Sequence, residues 1–292
     1  MKEYKNNEEL IDYLVSKNVT VNNIEQALEN IEQYSYYSIV NSYKFVFKDE
    51  ENNYKANVTF EEIFALYEFD KNIKSIFLKY TLEIEVIIKS LMANIIAEQY
   101  GVENYLKSEN FDEQANEEFK NNLIECVNKE IEDNYKKHSA IKHYKDTYGF
   151  IPPFVLTKIL TFGVISRYYG LLKQADRQAD RQAISKRFKL SDKLLKQILV
   201  NLTMVRNISA HSDRLFCFCS KYYISFKEID EEYHTEGNFT NLYMIIKCMQ
   251  VLLKEDKFDE FQDLFNKEVE NLQGKINSID INDILKIMGF NA

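Results

Sequence analysis

The stretch Thr59–Gly101, TFEEIFALYEFDKNIKSIFLKYTLEIEVIIKSLMANIIAEQYG, decides the fold. Thr59 followed by Glu62 fits a Thr-x-x-Glu capping box, in which each side chain satisfies the other residue's backbone N–H. Neither Gly nor Pro interrupts the chain until Tyr100-Gly101, which reads as a C-terminal stop. The spacing predicts one helix running to Gln99, about 60 Å long at ~1.5 Å per residue, unless it bends near Asp70. Glu61, Glu68, Asp70, Lys71, Lys74, Lys79, Glu85 and Lys89 punctuate it, so no window approaches the length of a membrane span.

Working outward, the segments Glu8–Lys17 and Asn23–Tyr34 place Leu10, Leu14, Ile24, Ala27, Leu28 and Ile31 at helical spacing. Tyr36–Phe47 reads equally as a short helix or an extended connector, and Lys48–Lys55 as a loop. Downstream, helices are expected over about 112–137 and 141–148. Gly149-Phe150-Ile151-Pro152-Pro153 is the clearest break, with Pro153 opening a helix over Phe154–Leu172. Gln174–Gln182 repeats Gln-Ala-Asp-Arg in tandem; it reads as a solvent-facing repeat expansion, or as extra arginines at a binding entrance. Ser191-Asp192 starts a further helix, and 238–290 reads as two or three more with a strongly acidic face.

Only 7 Gly and 2 Pro in 292 residues leave little material for hairpins. The fold class is therefore all-α, a multi-helix bundle, with at most one short strand pair around 216–228. Its segments are 1–58, a core over 59–220 and an acidic 221–292, read together as one unit. The amino terminus, MKEYKNNEEL, lacks the apolar run of a secretory signal. Cys126, Cys217, Cys219 and Cys248 fit neither a disulfide framework nor a metal site, and read as buried reduced thiols of a cytosolic protein. No cofactor or metal is expected.

The net charge of −9 is unevenly spread. Residues 136–214 hold 16 Lys or Arg against five Asp, a balance of +11 that leaves −20 for the rest. A basic segment inside an acidic protein can form a local anion site, or a helix face countered by folded-over acids. Within it lies Arg206-Asn207-Ile208-Ser209-Ala210-His211-Ser212-Asp213-Arg214-Leu215. On an ideal helix Asn207, His211 and Arg214 share a face, while Arg206 sits ~140° away from His211, so it reaches around or the helix loosens near Ser209. Chemically the set suits RNA cleavage without metal. An imidazole exchanges protons near neutral pH, and an Arg fork grips two phosphate oxygens and stabilises charge developing on them. Asn207 would orient the imidazole or the phosphate. One His per chain cannot easily serve as both acid and base, which favours a pair of sites. By charge and neighbourhood alone, Lys142, Lys145, Arg167, Lys186 and Arg187 are candidates for guiding RNA.

Arg206-Asn207-x-x-x-His211 resembles the Arg-x4-6-His signature of HEPN ribonucleases. The longer string Arg206-Asn207-x-x-Ala210-His211-x-x-Arg214-Leu215 resembles one group within them, the Abi-like proteins of bacterial abortive infection (the AbiD and AbiF type). Further blocks are similar in the same order. They are Tyr34-x-Tyr36-Tyr37, Leu66-Tyr67-x-Phe69-Asp70, Ile84-Glu85 with Lys89, His143-Tyr144 through Tyr148-Gly149-x-Ile151-Pro152, and Leu160-Thr161-Phe162-Gly163-x-x-Ser166. The resemblance covers about residues 8–220. Departures are Ser212 after the motif His, Phe216 in place of a Trp, Lys89 for an Arg, and Lys158 where an acidic residue is expected.

The resemblance implies an all-helical HEPN-like bundle, a homodimer that builds a composite site, and RNA cleavage directed against phage-infected cells. It assigns catalysis to Arg206 and His211, orientation to Asn207 and phosphate holding to Arg214. Glu85, Lys89 and Lys158 would form a polar network behind them. An RNA or protein antitoxin is an expected partner, and single-stranded RNA the expected substrate. Two other readings remain: a non-catalytic module that captures structured RNA, and a structural dimer in which His211 packs and Glu85–Lys89 is an ordinary helix pair.

Overall fold

The computed structural model describes residues 4–173, 180–225, 227, 229 and 238–290. Helix α1 (Asn7–Val15) opens on a capping box of Asn6 with Glu9, and α2 (Ile24–Tyr34) on the side chain of Asn23. The ambiguous stretch after it is helical but irregular: a π-helical turn, Tyr37–Asn41, leads into a 3-10 turn, Lys44–Phe47. Helix α3 (Phe60–Tyr100) is continuous past Asp70, and Gly101 ends it at φ +76°.

Next come α4 (Glu117–Asn134) and α5 (Ser139–Tyr148), which ends on the left-handed Gly149. The helix expected over Phe154–Leu172 is two helices, α6 (Pro153–Ile159) and α7 (Phe162–Leu171). Leu160 and Thr161 are extended between them, and the Thr161 hydroxyl accepts the Val164 amide, so a fresh N-cap breaks the apolar run. Helix α8 (Asp180–Ser185) precedes α9 (Asp192–Ala210), which carries the motif. Three helices close the chain: α10 (Leu242–Leu252), α11 (Glu255–Gln273) and α12 (Ile281–Met288).

A short antiparallel pair is present, but its strands are β1 (Cys219–Ser220) and β2 (Thr240–Asn241), so the partner lies beyond the 216–228 stretch. Residues 174–179 of the Gln-Ala-Asp-Arg repeat, its first copy and the start of the second, lie outside the described residues. Arg181 from its second half fits neither reading of the repeat. It is buried, 3.3 Å from Asp112 and 3.7 Å from Asp192, and ties α8 to the start of α9. The cysteines also differ from expectation: Cys248 is buried, Cys126 and Cys217 are half-buried, and Cys219 is exposed. No helix among the described residues is long and apolar enough to cross a membrane.

Buried residues from Ile11 to Met288 join in one cluster around α3. Helix α9 packs on one part of it, and α11 on another, where Phe77 and Tyr80 meet Phe261 edge-on at 5.2 and 5.4 Å. The α3 cap reaches further than its own helix. Glu62 Oε2 accepts the Thr59 amide at 2.9 Å, while Oε1 accepts the amides of Asn277 and Ser278 at 2.5 and 2.7 Å. One carboxylate thus starts α3 and pins the loop before α12.

Burial raises the Glu62 carboxyl, but the amides of Asn277, Ser278 and Thr59 together outweigh it and hold its pKa below 4.5. A lowered carboxylate contributes stability above its unfolded value and loses it as pH falls through the folded one. Glu62→Gln is therefore expected to be less stable than wild type at pH 7 by roughly 1–2 kcal/mol, the size of a lost cap. Chemical denaturation across pH 3–7 should show that gap closing toward the acid end. A constant gap would mean that the charge on Glu62 contributes nothing.

Candidate active site

Helix α9 buries Leu195, Ile198, Leu202 and Val205, which leaves Asn207 exposed and Arg206 half-buried at the edge. The helix ends at Ala210. His211 is already extended (φ −125°, ψ −174°), its amide bonded back to the Ile208 carbonyl at 3.1 Å. The shared helical face expected for Asn207, His211 and Arg214 therefore does not exist. The helix does not loosen at Ser209 but stays regular past it and ends at Ala210.

No Gly or Pro stops α9; two side chains of α3 stop it. Lys74 Nζ donates to the carbonyls of His211 and Asp213 at 3.4 and 3.2 Å, a cation against a helix C-terminus. Asp70, fully buried, accepts the Phe216 amide at 2.7 Å, the Leu215 amide at 3.0 Å and the Tyr43 hydroxyl at 2.7 Å. Leu215 and Phe216 are buried behind the loop, Phe216 stacked on Tyr43 and Phe45 at 5.7 and 6.0 Å. The Phe that replaces the expected Trp thus fills an aromatic niche. Burial pushes the Asp70 carboxyl above its ordinary value, against the pull of the Tyr43 hydroxyl, the two amides and Lys74.

Arg206 is anchored elsewhere on α3. Its Nε lies 3.6 Å from Glu85 Oε2, and the other Glu85 oxygen is 2.7 Å from Lys89 Nζ. Glu85 is buried and Arg206 about one-third exposed, so the carboxylate backs the guanidinium from the protein side. Arg206 Nη1 also reaches Asn207 Oδ1 at 3.4 Å. Lys158 stands apart from this network: it is exposed and, among the described residues, makes no ion pair. The hydroxyl of Ser209, buried one residue before the helix end, has no hydrogen-bond partner among the described residues.

Because Arg206 meets Glu85 while the loop after it meets Asp70 and Lys74, α9 runs opposite to α3. The anchors Lys74 and Glu85 are eleven residues apart, ~16 Å along the helix axis. That separation divides the motif. His211 and Arg214 line a cleft of about 650 Å³ with Tyr37, Tyr43 and Lys74, while Arg206 and Asn207 are not among its walls.

Arg214 is exposed but partly engaged. Its Nη1 donates to the Ser42 carbonyl, and its guanidinium lies 5.2 Å from the Phe45 ring. Of the proposed guiding cations, none lines this cleft. Lys186 and Arg187 precede α9, which puts them ~21 Å of helix from Arg206 and farther from His211. Arg167 lines a different groove, of about 440 Å³, with Phe119 and Lys196 between α4, α7 and α9. Lys142 and Lys145 are exposed on α5, with Lys145 over the Tyr135 ring. The +11 segment is thus not one patch around the motif. The cation missed from sequence is Lys74, which lies outside that segment; its i+4 spacing from Asp70 was the only available signal.

A family model described as Abi-like protein matches residues 29–217. The match begins inside α2, later than the resemblance that reached back to about residue 8, and ends one residue past Phe216. No curated protein and no solved structure matches the chain.

The bolt at Asp70 can be measured directly. Asp70→Ala leaves two backbone amides and a phenol buried without an acceptor, each worth about 1–3 kcal/mol. Urea unfolding should register a loss of about 3 kcal/mol or more, with Asp70→Asn losing less. A variant within about 1 kcal/mol of wild type would show that water takes over the bonds.

Proposed function

The chain belongs to the Abi-like protein family, and from that membership we propose that it is an endoribonuclease. In this reading it cleaves single-stranded RNA without a metal, in abortive-infection defence against phage, through a site shared by two copies. The family supports the defence role. The observation that carries the chemistry is the exposed end of α9, where buried Glu85 backs Arg206 and His211 is exposed on extended backbone.

In the proposed reaction His211 of one copy takes the proton from a ribose 2′-hydroxyl as its oxygen attacks the adjacent phosphorus. The bond from phosphorus to the 5′-oxygen breaks, and that oxygen receives a proton from His211 of the second copy. The products are a 2′,3′-cyclic phosphate and a 5′-hydroxyl. Arg206 faces the charge that builds on the phosphoryl oxygens, held in aim by Glu85, and Asn207 orients Arg206. Arg214 contributes its charge at the rim while its Nη1 holds the Ser42 carbonyl. The division of Arg206 from His211 within one chain favours the two-copy site, since a second motif can face each half. It equally favours the alternative, a non-catalytic RNA-capturing module of a defence complex with an RNA or protein antitoxin.

Labelled single-stranded RNA in excess chelator separates these readings, using protein washed free of bound nucleic acid at high salt. Wild type should release fragments ending in 2′,3′-cyclic phosphate. His211→Ala and Arg206→Ala should each slow cleavage by about 100-fold or more, the scale of losing a general acid–base group for the first and a charge-stabilising donor for the second. Undiminished cleavage by His211→Ala, or RNA binding without cleavage by wild type, would sink the proposal.

A further inference from the structure

The cleft beside His211 has a composition unlike the rest of this acidic protein. Its roof is the π-helical turn Tyr37–Asn41, its wall the loop His211–Arg214, and α3 contributes Tyr67 and Lys74. Among the described residues Asp213 is its one carboxylate, set against the fixed cations Lys74 and Arg214 and the imidazole of His211. In a chain of net charge −9, this is a local excess of positive charge.

The same cleft offers an uncovered ring. Tyr37 leaves 73% of its surface open, although the turn that carries it is fastened on both sides. Ser38 and Ser35 hydroxyls bond at 3.0 Å before it, and Tyr43 is tied to Asp70 after it. Below, Tyr34 and Tyr67 pack at 5.4 Å, with Lys71 over both rings. A short π-helical segment is costly to keep and recurs at functional sites. Aromatic faces beside cations are how proteins hold unpaired bases and their phosphates. At about 650 Å³ the space suits roughly one or two nucleotides.

We propose that this cleft docks the single-stranded RNA next to the cleaved bond. A base stacks on Tyr37, the adjoining phosphates face Lys74 and Arg214, and the strand leaves past His211 toward the scissile phosphate. The assignment rests on the ribonuclease reading for its substrate, but it can be tested without cleavage. Stacking is tolerant of base identity, so the cleft gives binding and register with little sequence preference.

The probe is a fluorescein-labelled ten-nucleotide 2′-O-methyl RNA, which has no free 2′-hydroxyl and cannot be cut by the proposed route. Full-length protein is titrated by anisotropy. Tyr37→Ala, which removes an exposed ring and should leave folding intact, is expected to weaken binding about tenfold, and Tyr37→Phe to restore it. Lys74→Gln should weaken binding and lower the salt slope by about one, the value of one phosphate contact.

Wild-type affinity in both Tyr37→Ala and Lys74→Gln would overturn the cleft assignment, even if the enzyme cleaves RNA. An oligoglutamate of equal charge that binds as tightly as the RNA, with no dependence on Tyr37, would also overturn it. Tyr37-dependent binding in a wild type that cuts no RNA would uphold the cleft and remove the ribonuclease.

Discussion

The buried carboxylate of Asp70 is the constraint on which the motif's shape depends. A charge taken fully out of water is costly unless several donors meet it. Here two consecutive backbone amides and a tyrosine hydroxyl do so. Those amides belong to Leu215 and Phe216, at the end of the motif, and the tyrosine to the segment that roofs the neighbouring cleft. A single side chain therefore gathers three separate parts of the chain. With Lys74 one turn away taking the carbonyls of His211 and Asp213, the end of α9 is determined by α3.

Helix α3 is consequently more than a spine. Asp70, Lys74, Glu85 and Lys89 fall at i, i+4, i+15 and i+19, within about 100° of one another around the axis. That face meets α9 along its last turns and assigns each motif residue its place. Glu85 receives Arg206, Lys74 receives the His211 carbonyl, and Asp70 receives the amides of Leu215 and Phe216. At the other end of the same helix Glu62 caps the first turn and pins the loop before α12. The acidic C-terminal helices are thereby coupled to the element that shapes the candidate site.

Much of this was legible without coordinates. The capping box at Thr59 and the stop at Gly101 are local chemistry, and they set both ends of α3. The break at Gly149–Pro153 and the start of α9 at Ser191 are local in the same sense. The split at Thr161 was missed because a capping hydroxyl inside an apolar run competes with helical periodicity, and periodicity alone favours continuation. The extra strand partner at Thr240 was missed because pairing across twenty residues leaves no short-range mark.

The sequence by itself determined the helical class, the long central helix and the motif that places the chain among Abi-like proteins. These rest on residue spacing, caps and breakers, which act over a few residues and are written where they act. Only the tertiary structure decided where α9 ends, that Arg206 and His211 are held on anchors ~16 Å apart along α3, and which cations share the His211 cleft. The physical reason is distance along the chain. Asp70 and Lys74 lie about 140 residues before the amides and carbonyls they bind, and bonds across that span appear only when the fold brings their parts together.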